Sequence, residues 1–261
     1  MMFAAILIFA TASSIASHEA SYDGSALHLS GDVALDHSLG TMRAGKAVLT
    51  RKVEEKEEFP FACIELGDRV AIDLATDGKA ECGSAHFDFS ALQGTLLGEV
   101  HLTDKRSGIP FEVLTPQLDL QLVKETSYTI QTAIASQGII LTLHQETGPM
   151  TIEADAAEIR LSTIDIHGHV TLSSQDIQGV ASTLTYDPES RRCILKAEEG
   201  KKVLLARASD NLRMSAPEVH ITYNPETDAQ EVQGIGHVVF SLSIEEETLL
   251  NQVHRHAPSP S

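Results

Sequence analysis

A short phrase returns seven times along this chain: a glycine, one or two residues, then apolar residues at alternating positions. It reads Gly31-Asp32-Val33-Ala34-Leu35, Gly67-Asp68-Arg69-Val70-Ala71-Ile72 and Gly98-Glu99-Val100-His101-Leu102. It returns as Gly138-Ile139-Ile140-Leu141, Gly168-His169-Val170-Thr171-Leu172, Gly200-Lys201-Lys202-Val203-Leu204-Leu205 and Gly236-His237-Val238-Val239-Phe240. The glycines are 36, 31, 40, 30, 32 and 36 residues apart. An interval of this size marks one supersecondary unit used repeatedly, and alternation of period two marks a strand with one buried face. Such an all-β chain has a long apolar interior and few places to build a catalytic pocket. It reads as a binder or conduit, not an enzyme.

The chain has 261 residues, enough for one large all-β domain or two smaller ones. Aromatic content is 5 % with no Trp, so the interior must be mostly aliphatic. The net charge of -18 argues against nucleic acid or an anionic membrane surface as main partner, because both need a basic footprint. Between Ala181 and Ser215, however, seven basic residues (Arg191, Arg192, Lys196, Lys201, Lys202, Arg207, Arg213) stand against five acidic ones. That stretch carries a local surplus of positive charge.

Met1 to Ala16 has the apolar core of a signal peptide, with a small-x-small signal at Ser14-Ile15-Ala16. Residues 1–20 are therefore read as a signal peptide or N-terminal anchor. The apolar run is short for a membrane span of about 20 residues. The remainder reads as short alternating strands cut by turn residues, spaced as in a sandwich, jelly roll or barrel. Arg51 to Glu58 is a charged loop or hairpin tip, Glu245 to Val253 a short helix, and the Pro/Ser-rich end a disordered tail. Tyr186-Asp187-Pro188-Glu189 and Tyr223-Asn224-Pro225-Glu226 repeat one turn signal, in which the Asx side chain caps its own backbone and Pro fixes φ. Cys63, Cys82 and Cys193 match no zinc spacing. Cys63 and Cys82 lie on neighbouring strands and could bridge; small buried hydrophobes is the plainer reading.

These segments resemble the LptA/OstA family of lipopolysaccharide-transport proteins. The resemblance is carried by Gly31-Asp32-Val33, by Gly40-Thr-Met-Arg-Ala-Gly-Lys-Ala-Val-Leu-Thr-Arg51, by Gly83-Ser-Ala-His-Phe-Asp-Phe89 and by Leu97-Gly-Glu-Val-His-Leu102. It continues in Gly179 to Tyr186 and Met214 to Tyr223, covering roughly Leu27 to Phe240. It implies an elongated, open β-jelly roll of repeated antiparallel strands, with one repeat region over 21–148 and a second over 149–244. It implies a periplasmic protein whose interior shields the acyl chains of lipopolysaccharide, without a cofactor. The implied partners are other jelly-roll proteins, joined end to end by strand addition, and the inner- and outer-membrane export components. Moving each CH₂ from an apolar site into water costs about 0.8 kcal/mol, so a multi-chain lipid needs such shielding. The candidate lipid-facing residues are Val33, Leu35, Val100, Leu102, Val170, Leu172, Val203, Leu205, Val238 and Phe240. In a plain sandwich the same residues would be ordinary core. The rival reading is a structural β-solenoid or surface scaffold without lipid transport.

Other motifs carry less. Gly40 to Ala47 is one residue from a phosphate-binding loop, but Ala47 lacks the hydroxyl that would hold Mg²⁺. His167-Gly-His169 supplies two imidazoles and no third ligand at suitable spacing. Glu153 and Asp155 follow strand alternation toward solvent, and no ordered nucleophile, base and acid stand together.

Overall fold

The computed structural model describes residues 14–51, 61–75, 77–104, 110–125, 127–145, 148–160, 162–209, 211–224 and 229–242. The signal-peptide core, the whole charged run after Arg51, Pro225-Glu226, the Glu245–Val253 helix and the Pro/Ser-rich tail lie outside the described residues. All regular structure among the described residues is β-strand, and every strand pair with a defined register is antiparallel. The protein is an all-β, jelly-roll-like molecule. It divides into two compact units, one drawn from residues up to 104 with 112–137, the other from 110–111 with 138 onward.

The first unit begins with short strands β1 (Ile15–Ala16) and β2 (Glu19–Tyr22), both laid on β3 (Ala26–His37). From there β4 (Gly40–Arg51), β5 (Phe61–Leu74), β6 (Gly78–Asp88) and β7 (Gln93–Asp104) pair in sequence order. Strands β8 (Phe111–Lys124) and β9 (Tyr128–Ala135) pair with each other. The long strands do not run straight. Ser30 to Val33 on β3 faces Lys46 to Ala44 on β4, so three steps oppose two. The same mismatch recurs at Gly67/Val70 on β5, and between β6 and β7 the three steps from Glu81 to Ser84 oppose four from Leu97 to His101. Each is a β-bulge, which bends a strand and raises its twist.

The recurring glycine sits at this bend. Gly31 and Asp32 have φ of 73° and 48°, Asp68 and Arg69 63° and 62°, and Gly98 and Glu99 79° and 48°. Two successive left-handed residues turn the strand, so its first half lies in one arm of the sheet and its second half in another. The interval of 30 to 40 residues is therefore one out-and-back pair of bent strands. The sequence reading began a new strand at each glycine; at Gly31, Gly67, Gly98 and Gly168 this divides single long strands at their corners, whereas after Gly138, Gly200 and Gly236 separate strands do begin, at Ile139, Val203 and Val239.

The second unit uses the same device. It comprises β10 (Ile139–Gln145), β11 (Gly148–Ala154), β12 (Ala156–Arg160), β13 (Ile164–Ser173) and β14 (Ile177–Asp187). There follow β15 (Arg192–Lys196), β16 (Val203–Arg207), β17 (Leu212–Ala216), β18 (Glu218–Asn224), β19 (Ala229–Ile235) and β20 (Val239–Leu242). Strand β13 is bent between His167 and Val170; its halves pair with β12 and β11 on one side. The two halves of β14 pair with β15 and β16, which pair in turn with β18 and β17, and these with β19 and β20. The breaks between half-strands fall at Asp155, at 197–202, at Pro217 and at 236–238. At the β13 corner Gly168 has φ 76°, and a Cβ there would stand 2.5 Å from Asp155 Oδ2. No other residue type fits that place without strain.

Both units bury one face of each arm. The core is aliphatic, from Val33, Met42, Leu49 and Ile64 in the first unit to Leu141, Ile152, Ile166 and Leu184 in the second. In the β14–β15 turn Asp187 Oδ1 accepts from the N–H groups of Glu189 (2.9 Å) and Ser190 (3.2 Å), as its Asx-Pro sequence predicts. The three cysteines are free. Cys63 stands opposite Asp88 and Cys82 opposite Val70, on different arms of the β5–β6 ladder, so no bridge forms. Burial pushes the Cys82 thiol up to about 11 and the Cys193 thiol up to about 12.

Candidate functional site

Eight of the ten candidate lipid-facing residues lie on the buried face of their strands. Val33, Leu35, Val100, Leu102, Val170, Leu172, Val203 and Leu205 are all 9 % exposed or less. Val33, Leu35, Val100 and Leu102 are in the first unit, and the other four in the second. The remaining two depart from the alternation. Val238 precedes β20, in the corner, and is half-buried. Phe240 is 56 % exposed.

The register explains Phe240. One row across the second unit runs Leu172, Gly179, Leu205, Met214, Phe240. Leu172, Leu205 and Met214 are buried, and Phe240 continues their face onto β20, whose one partner among the described residues is β17. The inward apolar row thus reaches the surface at β20. In the same unit Tyr186, opposite Cys193, is buried with its hydroxyl unpaired among the described residues. Burial raises the pKa of that phenol.

In the first unit the two arms meet through rings. His37, at the end of β3, lies 4.6 Å from Phe89 and 5.4 Å from Tyr128 between ring centroids. Phe89 also lies 4.9 Å from Tyr128 and 6.2 Å from Phe87. The Tyr128 N–H donates to Ser38 Oγ at 3.2 Å, and the Leu39 N–H to His37 Nδ1 at 3.2 Å. Burial holds the His37 imidazole down at about 4, so it is neutral at physiological pH.

The outward face of the second unit carries a feature that the alternating phrase does not announce. The row next to the inward one runs Thr171, Val180, Leu204, Ser215, Val239. Val180, Leu204 and Val239 are 51 %, 56 % and 48 % exposed. They line an open groove of about 580 Å³, flanked by the polar outward row Ser173, Gln178, Ala206, Arg213 and Ser241. A polar pocket of about 260 Å³ adjoins it, sharing Gln178, Ala206 and Arg213 and adding Arg207 and Asn211. A signal for this groove is present in the sequence. In Val203-Leu204-Leu205 and Val238-Val239-Phe240 three consecutive apolar residues cannot all face one way on a strand.

The basic stretch from Arg191 to Arg213 does not form one patch. Arg191 lies 5.9 Å over the Tyr223 ring. Arg192 donates to His220 Nδ1, whose Nε2–H donates to Glu218; Lys196 stands 3.4 Å from the same carboxylate. The His220 hydrogen bond, with Lys196 beside it, holds the Glu218 carboxyl below its usual range. Lys201 pairs with Glu198 at 2.7 Å. Arg207 and Arg213 both line the polar pocket, together with Asp176; Arg213 belongs to the outward row, whereas Arg207 stands opposite the buried Ile177 and Leu212.

Of the weaker motifs, Gly40 to Ala47 is the first two-thirds of β4, a strand and not a phosphate loop, and Lys46 pairs with Asp68 at 3.2 Å. His169 Nδ1 is 2.6 Å from Asp155 Oδ2 across the β13 corner, while His167 and Glu153 are exposed. No group of three metal-ligating side chains occurs among the described residues. Comparison with family models and with curated proteins returns no match for this chain.

Proposed function

We propose that the chain is a non-enzymatic, periplasmic lipid-binding protein that shields the acyl chains of lipopolysaccharide on their way to the outer membrane. In this reading it works with jelly-roll partners and with the inner- and outer-membrane export components. The observation that carries the proposal is the inward row from Leu172 to Phe240. An aliphatic interior that surfaces on an edge strand gives an acyl chain an apolar path between water and core. At about 0.8 kcal/mol per CH₂, a chain of ordinary length repays displacement of the side chains that now fill that path. The Tyr186 hydroxyl, unpaired among the described residues, is a donor for a guest's oxygen. The resemblance of the sequence to the lipopolysaccharide-transport family supplies the lipid's identity.

The near-complete burial of eight of the ten candidates favours a second reading, a scaffold whose core is filled by its own side chains. One experiment separates the two. A photo-crosslinking residue at Phe240, with exposed His86 of the first unit as control, is expressed in cells. The lipid-carrier reading expects a lipopolysaccharide adduct at Phe240 and none at His86, with lipid A detected by mass spectrometry of the purified protein. A lipid-free protein with no adduct at Phe240 leaves the scaffold.

A further inference from the structure

We infer that this chain carries a proteolytic processing site between Ala12 and Ser13, where a leader peptidase removes the N-terminal segment, and that β1 belongs to the processed protein. The inference rests on the reading of the chain as exported, and on nothing about its lipid. It moves the cut away from the Ser14-Ile15-Ala16 signal, because the fold uses those three residues.

Residues 14–22 follow the bend of β3 along its free side. On one arm β1 pairs Ile15 with Leu35 and Ala16 with Ala34, and the Asp36 N–H donates to the Ser14 carbonyl at 2.9 Å. On the other arm β2 pairs Glu19 with Ser30 and Tyr22 with Leu27. His18 joins the two at the corner. Its N–H donates to the Gly31 carbonyl at 2.9 Å, and its Nε2 stands 3.7 Å from Asp32 Oδ2. A Cβ on Gly31 would stand 2.9 Å from His18 Cβ, so the glycine leaves room for this crossing. A cut after Ala16 would fall at that corner and discard β1. It would strip Asp36 of both Ser14 groups, the carbonyl that accepts from its N–H and the hydroxyl that donates to its carboxylate. It would also bare the main chain of β3 from Ala34 to Asp36, an edge open to unwanted pairing. The fold therefore sets the end of the leader before Ser14. The sequence supplies a site there. Ala10-Thr11-Ala12 directly follows the apolar run from Phe3 to Phe9, the order of apolar core and small-x-small signal that a leader peptidase reads. Hydrolysis adds water across the Ala12–Ser13 peptide bond, leaving a carboxylate on Ala12 and an α-ammonium on Ser13. That cation is one residue along the chain from Ser14, whose hydroxyl, with that of Thr41, holds the Asp36 carboxyl below its usual range.

The test is expression of the full chain, tagged at its C-terminus, in a bacterial host with a periplasm, followed by intact mass and N-terminal sequencing. Ser13 should be the first residue. Ala12→Leu should lose that product, whereas Ala16→Leu should be processed as the wild type is. Any other first residue, Ser17 above all, overturns the assignment and leaves the export reading standing; an uncut wild-type chain overturns both. Hydrogen exchange at the Asp36 amide checks the strand apart from the processing. It should be about tenfold faster in a chain that starts at Ser17 than in one that starts at Ser13. Equal rates would show that β1 is no part of the processed fold, and would overturn the inference. None of these outcomes depends on whether Phe240 captures lipopolysaccharide.

Discussion

His37 shows how one side chain ties fold to solution conditions. Its ring joins the arms of the first unit by packing on Phe89 and Tyr128, and burial lowers its pKa from 6.5 to about 4. In the unfolded chain the imidazole takes up a proton below about pH 6.5; in the folded chain it does so only near pH 4. Between these values the unfolded state binds more protons, so stability must fall as pH falls through that window. The stabilisation is full above the unfolded value and is on the order of 3 kcal/mol. Exposed carboxylates with lowered pKa, such as Asp73 beside Arg43, lose their contribution only in the acid range below. Urea unfolding at pH 7.5, 6, 5 and 4.5 should show the loss in the wild type. His37→Phe keeps a ring in the cluster and should flatten the profile over this range. An unchanged slope in that variant would show that another group titrates there.

At the level of the strand, alternation sets what each substitution costs. Strand β16 reads Val203, Leu204, Leu205, with the outer two buried and the middle one exposed. Leu205→Ala opens a cavity in the core and should cost about 2–5 kcal/mol, whereas Leu204→Ala should stay within about 0.5 kcal/mol. Denaturant midpoints of the two variants check the contrast, and equal losses would mean that β16 does not hold this register. The strand pattern was legible in the sequence because every arm buries one face, which imprints period two on Val33/Leu35, Val100/Leu102 and Val170/Leu172. The corner was hidden because a bulge interrupts alternation as a turn does. Leu27–Leu29 and Val33–Leu35 read as two strands, yet both belong to β3. The outward groove was missed for the opposite reason. A phrase read only for its buried residues assigns Val203 and Leu205 and passes over Leu204 between them. Phe240 shares the parity of the core, but parity does not reveal that β20 is paired on one side only among the described residues.

For the molecule as a whole, charge decides the response to salt. Thirty-seven acidic residues face 19 basic ones, so even complete pairing leaves a surplus of 18 negative charges. Surface pairs such as Arg43–Asp73, Lys46–Asp68 and Lys201–Glu198 are partly exposed. Such pairs are each worth about 0.2–1 kcal/mol, which salt diminishes. Repulsion among the surplus acts over the whole surface, is greater in the compact state than in the expanded chain, and salt relieves it. The Debye length falls from about 30 Å at 0.01 M to about 3 Å at 1 M, so salt screens the many long-range repulsions more completely than the few contacts at about 3 Å. The repulsive contribution therefore wins. Melting followed by circular dichroism at pH 7.5 should shift upward by several degrees between 10 mM and 0.5 M NaCl. Sodium sulfate also favours burial by exclusion from the surface, so the chloride series isolates screening. A melting temperature that falls with chloride would show that the ion pairs outweigh the surplus.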